Sequence, residues 1–208
     1  MFPKLIANGG PVLWLLVVAS GVAIVTFVER VLHLHRSQIN AAEFLNGVRN
    51  VLKRDNVVEA ISICDATPGP VARLVKTAIL NRDQGRERVR EALEEAGLVE
   101  VPRLEEKLAL LATIAQIAPL LGLLGTALGF IQIFGQLEQA GLYAQVGQLS
   151  RGIWQALICT AAGLAVAIPT YAGYNYLVNR AGEITLDMER TAAEIVRIVT
   201  EKPAARSP

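Results

Sequence analysis

The sequence predicts an all-α integral membrane protein with three transmembrane helices, two of which extend into a cytoplasmic helical bundle. Three segments, residues 5–28, 108–137 and 152–179, contain no Asp, Glu, Lys or Arg. Each is long enough for a helix to cross a bilayer, which needs about 20 mostly apolar residues. No segment alternates polar and apolar residues over a useful length, so we expect no β-sheet.

The uncharged run 108–137 is longer than a membrane requires. A helix of its 30 residues would extend roughly 45 Å, whereas the hydrocarbon core of a bilayer is about 30 Å thick. We therefore expect the second and third membrane helices to project beyond the bilayer.

The distribution of basic residues predicts how the chain is oriented. Of 20 Lys and Arg residues, 18 lie in 29–107 or after residue 179, and basic segments are typically cytoplasmic. The N-terminus is then periplasmic and the C-terminus cytoplasmic. The predicted segments are an outer segment 1–8, a first span 9–28, a cytoplasmic helical insert 29–107, a second span 108–137, a periplasmic loop 138–151, a third span 152–179, and a cytoplasmic C-terminal helix and disordered tail 180–208.

Within the insert, the pattern predicts three further helices. A short helix over 56–64 is broken by the run from Thr67 to Pro70, and an amphipathic helix over 71–82 follows. A charged helix over 86–107 feeds into the second span, with Gly97 and Pro102 as its expected breaks. Mixed charges at i,i+3 predict ion pairs along it, namely Arg88–Glu91, Glu87–Arg90 and Arg103–Glu106.

Small residues gather on one side of the second and third spans. At about 100° per residue, one face of the second span carries Pro119, Gly122, Thr126 and Gly129. A corresponding arc of the third carries Gly152, Cys159, Thr160, Gly163, Ala167, Thr170 and Tyr174. Such faces let another backbone approach closely, and a hydroxyl on them can meet a polar group. Ordinary helix packing is an alternative explanation.

Several kinds of chemistry have no support in the sequence. A net charge of +1 does not favour nucleic-acid binding, and we find no catalytic, cofactor or metal signature. Cys64 and Cys159 are predicted to be free, packed thiols. A titratable side chain inside a membrane is the usual proton or ion site. The second and third spans offer only uncharged polar groups: Thr113, Gln116, Thr126, Gln132, Gln155, Thr160 and Thr170.

Several motifs resemble the ExbB/TolQ branch of the ExbB/TolQ/MotA family of proton-channel motor subunits. They are the run from Ala118 to Gly129, the run from Ala156 to Pro169 followed by Tyr174-Asn175, the insert's run from Thr67 to Arg73, and the run from Gly9 to Trp14. The resemblance implies a bacterial inner-membrane homopentamer surrounded by lipid. An ExbD/TolR-like partner would place transmembrane helices that carry an Asp in the central pore, and proton entry would energise a TonB- or TolA-like transducer.

The resemblance also implies roles for individual residues. Thr126 and Thr160 match the pore-lining threonines, whereas Gln155 stands where ExbB and TolQ usually carry Glu. The pore wall would be packed through Pro119, Gly122, Gly125, Gly129, Gly163 and Pro169. A MotA-like or sodium-driven motor and a non-conducting membrane scaffold are the alternatives.

Overall fold

The structure is a computed structural model, and it describes residues 10–140 and 146–200. These form seven α-helices and a short 3-10 turn, Arg82–Gln84, with no strand in the described ranges. The predicted fold class is confirmed. The helices are α1 (Gly10–Ser37), α2 (Ala41–Leu52), α3 (Val57–Ala66), α4 (Pro70–Leu80), α5 (Arg86–Glu105), α6 (Leu108–Ala140) and α7 (Val146–Thr200).

Three helical segments of the described chain are long and apolar enough to cross a membrane: Pro11–Leu52, Arg86–Gln139 and Gly152–Thr200. Their uncharged parts lie in α1, α6 and α7. Helix α6 continues to Ala140 and α7 begins at Val146, so both extend into the predicted loop 138–151. The predicted outer segment 1–8 and the last residues of the predicted tail, 201–208, lie outside the described residues. The division into membrane and aqueous segments, and the orientation, stay predictions.

The chain forms two compact units. The first contains Met1–Glu29 and Lys107–Tyr176, and the second contains Arg30–Glu106 and Leu177–Pro208. Helices α1 and α7 each contribute residues to both units.

The core of the first unit is built from small and medium-sized side chains of α1, α6 and α7. Leu16, Ala118 and Ala167 are buried together, and Leu121 and Val166 pack against them. Large apolar side chains instead cover the outside of these helices, including Trp14, Leu120, Ile131, Trp154 and Ile168. An apolar exterior over a small-residue interior suits helices that pack within lipid.

In the second unit, α4 is the most buried helix and packs against α3 and α5. Its predicted apolar stripe is buried: Val71, Leu74, Val75, Ala78 and Ile79. The start of α4 lies against the end of α1. A methyl group on Gly69, whose φ is +115°, would lie 2.6 Å from the Ser37 carbonyl oxygen. Only glycine accommodates both this contact and this backbone conformation.

Both cysteines are buried and neither forms a disulfide, as predicted. Burial raises the pKa of Cys64 to about 11, and the neighbouring Asp65 carboxylate adds to the shift. The thiol therefore stays protonated at neutral pH and fills space rather than reacting.

The predicted breaks at Gly97 and Pro102 are wrong, because α5 runs continuously through both. A proline inside a helix removes one backbone hydrogen bond, and the rest of α5 is retained. The break falls after Glu105, and Lys107 there has a φ of 62°.

Candidate functional site

Helices α6 and α7 meet with their backbones almost in contact. A methyl group on Gly163 would lie 2.6 Å from the Ala118 carbonyl oxygen, and one on Gly122 would lie 2.8 Å from the Cys159 carbonyl oxygen. Both distances are shorter than van der Waals contact. The observed packing therefore requires glycine, which has no side chain, at both positions.

The contact continues along α6 through two more of the predicted glycines. A methyl on Gly125 would lie 2.8 Å from the Cys159 Cβ atom, and one on Gly129 would lie 3.0 Å from the Ala156 Cβ atom. Gly125 also faces a Val12 methyl of α1. The four predicted glycines thus pack within this chain, whereas Pro119 is half-buried and Pro169 is exposed. Whether any of them forms a pore wall stays a prediction.

Thr126 and Thr160 come together at this contact. Their hydroxyl groups are hydrogen-bonded to each other. The Thr126 hydroxyl also lies 3.1 Å from the Gly122 carbonyl oxygen on its own helix and 2.9 Å from the Ala156 carbonyl oxygen on α7. Because a hydroxyl has one hydrogen and accepts through two lone pairs, this group can alternate between several donor arrangements.

Two of the other predicted polar side chains donate hydrogen bonds within their own helices. The Thr113 hydroxyl donates to the Ala109 carbonyl at 2.8 Å, and the Thr170 hydroxyl donates to the Val166 carbonyl at 2.7 Å. Gln116 and Gln132 are exposed, and Gln155 is half-buried one and a half turns before Thr160.

Two close contacts of the first unit were not predicted. A methyl on Gly152 would lie 2.4 Å from Ile133 Cγ1, and a methyl on Gly173 would lie 2.9 Å from the Phe27 ring. The small-residue arc of the third span included Gly152. Helical periodicity identifies such a face, but it does not identify the residue that packs against it on another helix.

The chemistry available at the α6–α7 contact is hydrogen bonding without charge. Paired hydroxyls and backbone carbonyls can bind water or a carboxylate brought to them. They do not carry a charge of their own near pH 7. Among the residues that the structure describes, no group of three His, Cys, Asp or Glu side chains is placed to hold a metal ion.

The fold and this contact define a multi-pass, all-α membrane protein in which two spans join through glycines and a hydroxyl pair. Residues 66–190 match the model of the MotA/TolQ/ExbB proton channel family. The chain therefore belongs to that family.

Its relatives place it in the ExbB/TolQ branch. It is 27% identical to a putative biopolymer transport protein ExbB homolog of Methanothermobacter thermautotrophicus, over 95% of this chain and 68% of that protein. It is 34% identical to the putative biopolymer transport protein ExbB-like 1 of a Synechocystis species, over 83% and 68%. It is 28% identical to the biopolymer transport protein ExbB of Neisseria gonorrhoeae, over 94% and 96%.

The close α6–α7 contact leads to a stability prediction. Gly163→Ala should lower the free energy of unfolding by about 1–3 kcal/mol, because its methyl forces two backbones apart. Gly182→Ala is the matched control on the same helix, since nothing lies within 4 Å of the added methyl. It should raise stability by about 0.5–1 kcal/mol. Thermal unfolding in detergent, followed by circular dichroism, measures both. Equal stability of the two variants would contradict the described packing.

Proposed function

We propose that this chain is an ExbB/TolQ-like stator subunit of a proton-motive-force-driven motor in the bacterial inner membrane. Copies of the chain, five by family resemblance, would form a channel around an ExbD/TolR-like single-span partner carrying an intramembrane Asp. Proton movement through that channel would energise a TonB- or TolA-like transducer. In this proposal Thr126 and Thr160 hydrate or hydrogen-bond the proton-carrying group, and the partner supplies the charge.

The observation that carries this proposal is the hydroxyl pair at the α6–α7 contact. The Thr126 hydroxyl has two carbonyls and the Thr160 hydroxyl as neighbours, so its hydrogen can change acceptor without any movement of the backbone. A carboxylic acid or a water molecule that moves past an uncharged lining needs both hydrogen-bond donors and hydrogen-bond acceptors there. A hydroxyl group whose hydrogen can change its acceptor can serve as either. Both threonines are half-buried, so part of each side chain is available to a partner.

Proton flux tests the proposed role of Thr160. We expect Thr160→Val, co-assembled with an ExbD/TolR-like partner in liposomes, to reduce potential-driven proton uptake to the level of protein-free liposomes. Valine keeps the shape and removes the hydroxyl. Thr170→Val is the control, because in the part of the chain that the structure describes this hydroxyl donates within its own helix, to the Val166 carbonyl at 2.7 Å, and it should conduct normally. Full conduction by correctly assembled Thr160→Val would refute the assignment.

A non-conducting scaffold is the second candidate, and the same hydrogen bonds favour it. The Thr126 contact to the Ala156 carbonyl joins α6 to α7, and such bonds stabilise helix pairs without any ion movement. Under this alternative, Thr126→Ala and Thr160→Ala weaken assembly but leave proton flux unchanged.

Replacing Na⁺ by K⁺ in the flux assay separates a proton-driven from a sodium-driven motor, since hydroxyls can also coordinate Na⁺.

Gln155 gives a prediction about pH dependence. Because Gln155→Glu restores the carboxylate that the family usually has there, we expect it to change how proton flux through the co-assembled complex varies between pH 5 and pH 8. Gln116→Glu on α6 adds the same group at an exposed position and serves as the control. If the profile of Gln155→Glu matches that of the parent protein, the position is structural.

A further inference from the structure

A cluster of charged residues in the second unit has no part in the proposed ion pathway. Glu100 of α5 is its centre, with a side chain only 7% exposed. Arg73 of α4 donates from Nε to Glu100 Oε1 at 2.8 Å and from Nη2 to Oε2. Arg103, one turn along α5, donates from Nη1 to the same Oε1 at 3.1 Å. One buried carboxylate therefore holds two guanidinium groups side by side.

The two arginines are only partly used by this carboxylate. Each guanidinium has five N–H groups, and the contacts to Glu100 engage two on Arg73 and one on Arg103. The side chains of Arg73 and Arg103 are 52% and 62% exposed. Fixed guanidinium groups with remaining N–H donors are suited to bidentate recognition of a phosphate.

A third arginine adds to the positive charge. Arg30 of α1, whose side chain is 3% exposed, pairs with Glu106 at 2.9 Å and donates from Nη1 to the Arg103 carbonyl at 3.5 Å. Its Nε has no hydrogen-bond partner in the described part of the chain. The cluster holds three arginines against Glu100 and Glu106, so three positive and two negative charges leave a net charge of +1.

The position of the cluster indicates which phosphate it would meet. Arg30 follows the last residue of the first uncharged run, Val28, by two positions on the same helix, a rise of about 3 Å. The polar headgroup layer on each side of a bilayer is roughly 5–8 Å thick. The Arg30 guanidinium donates to the Arg103 carbonyl, so Arg103 is linked to a residue that closely follows the first uncharged run.

We propose that Arg73 and Arg103, held in place by Glu100, bind the phosphate of an anionic phospholipid at the membrane surface next to the insert. This inference uses the membrane location of the chain and does not depend on proton conduction, so it stands or falls separately from the proposed function. Glu100 acts by positioning: it orients two cations that would otherwise move independently and repel each other.

The test uses the full chain in nanodiscs of mixed lipid composition. Native mass spectrometry counts the phosphatidylglycerol retained by the released protein, with phosphatidylcholine as the neutral lipid. We expect preferential retention of phosphatidylglycerol, and a loss in apparent affinity of about tenfold for Arg73→Gln and for Arg103→Gln, as for a lost charge-assisted hydrogen bond. Arg88→Gln, an exposed arginine of the same helix paired with Glu91 at 3.1 Å, should bind like the parent protein.

Glu100→Gln separates an organised site from a merely positive surface. Its removal of one negative charge would raise anion affinity if net charge alone mattered, whereas we expect phosphatidylglycerol retention to fall because the two arginines lose their common anchor. Equal retention by Arg73→Gln, Arg103→Gln and the parent protein would overturn the proposal, as would tighter binding by Glu100→Gln. Displacement of the lipid by millimolar inorganic phosphate would also overturn it, because the site would then take the free ion.

Discussion

The close approach of α6 and α7 at Gly122 and Gly163 is the constraint on which the first unit depends. Lipid tails are as apolar as the helix surfaces, so the hydrophobic effect does not drive two helices together within a membrane. Helix association there depends on close backbone packing and on interhelical hydrogen bonds. The two glycines provide the first, since a methyl on either would lie within 3 Å of a facing carbonyl oxygen. The Thr126 hydroxyl provides the second through the Ala156 carbonyl.

This contact also explains why the same few residues serve packing and the proposed conduction. A hydroxyl buried between apolar helices must have a partner, and Thr126 finds three within reach. Such an arrangement is rigid in its heavy atoms and variable in its hydrogens. An uncharged lining of this kind costs little to bury compared with an ionised group. It leaves the task of carrying charge to another polypeptide, as the proposed function requires.

The sequence predicts the helices better than it predicts their partners. Uncharged runs and small-residue faces are local properties, so the three spans and the packing role of Gly122, Gly129 and Gly163 follow from periodicity, whereas the packing role of Gly125 follows from the family resemblance. Register between helices does not, which is why the Gly152–Ile133 and Gly173–Phe27 contacts were missed.

Ion pairs show the same limit. Arg88 pairs with Glu91 as predicted, at 3.1 Å, but Arg90 pairs with Glu94, and Arg103 with Glu100. Glu106 lies beyond the end of α5, where i,i+3 geometry no longer holds, and it pairs with Arg30 instead.

The most direct test of the α6–α7 contact is a double-mutant cycle on unfolding in detergent with Thr126→Val, Thr160→Val and the double variant. We expect a coupling free energy of about 0.6 kcal/mol and at most about 1.7 kcal/mol, because the hydroxyls bond each other. Strictly additive effects would contradict the contact.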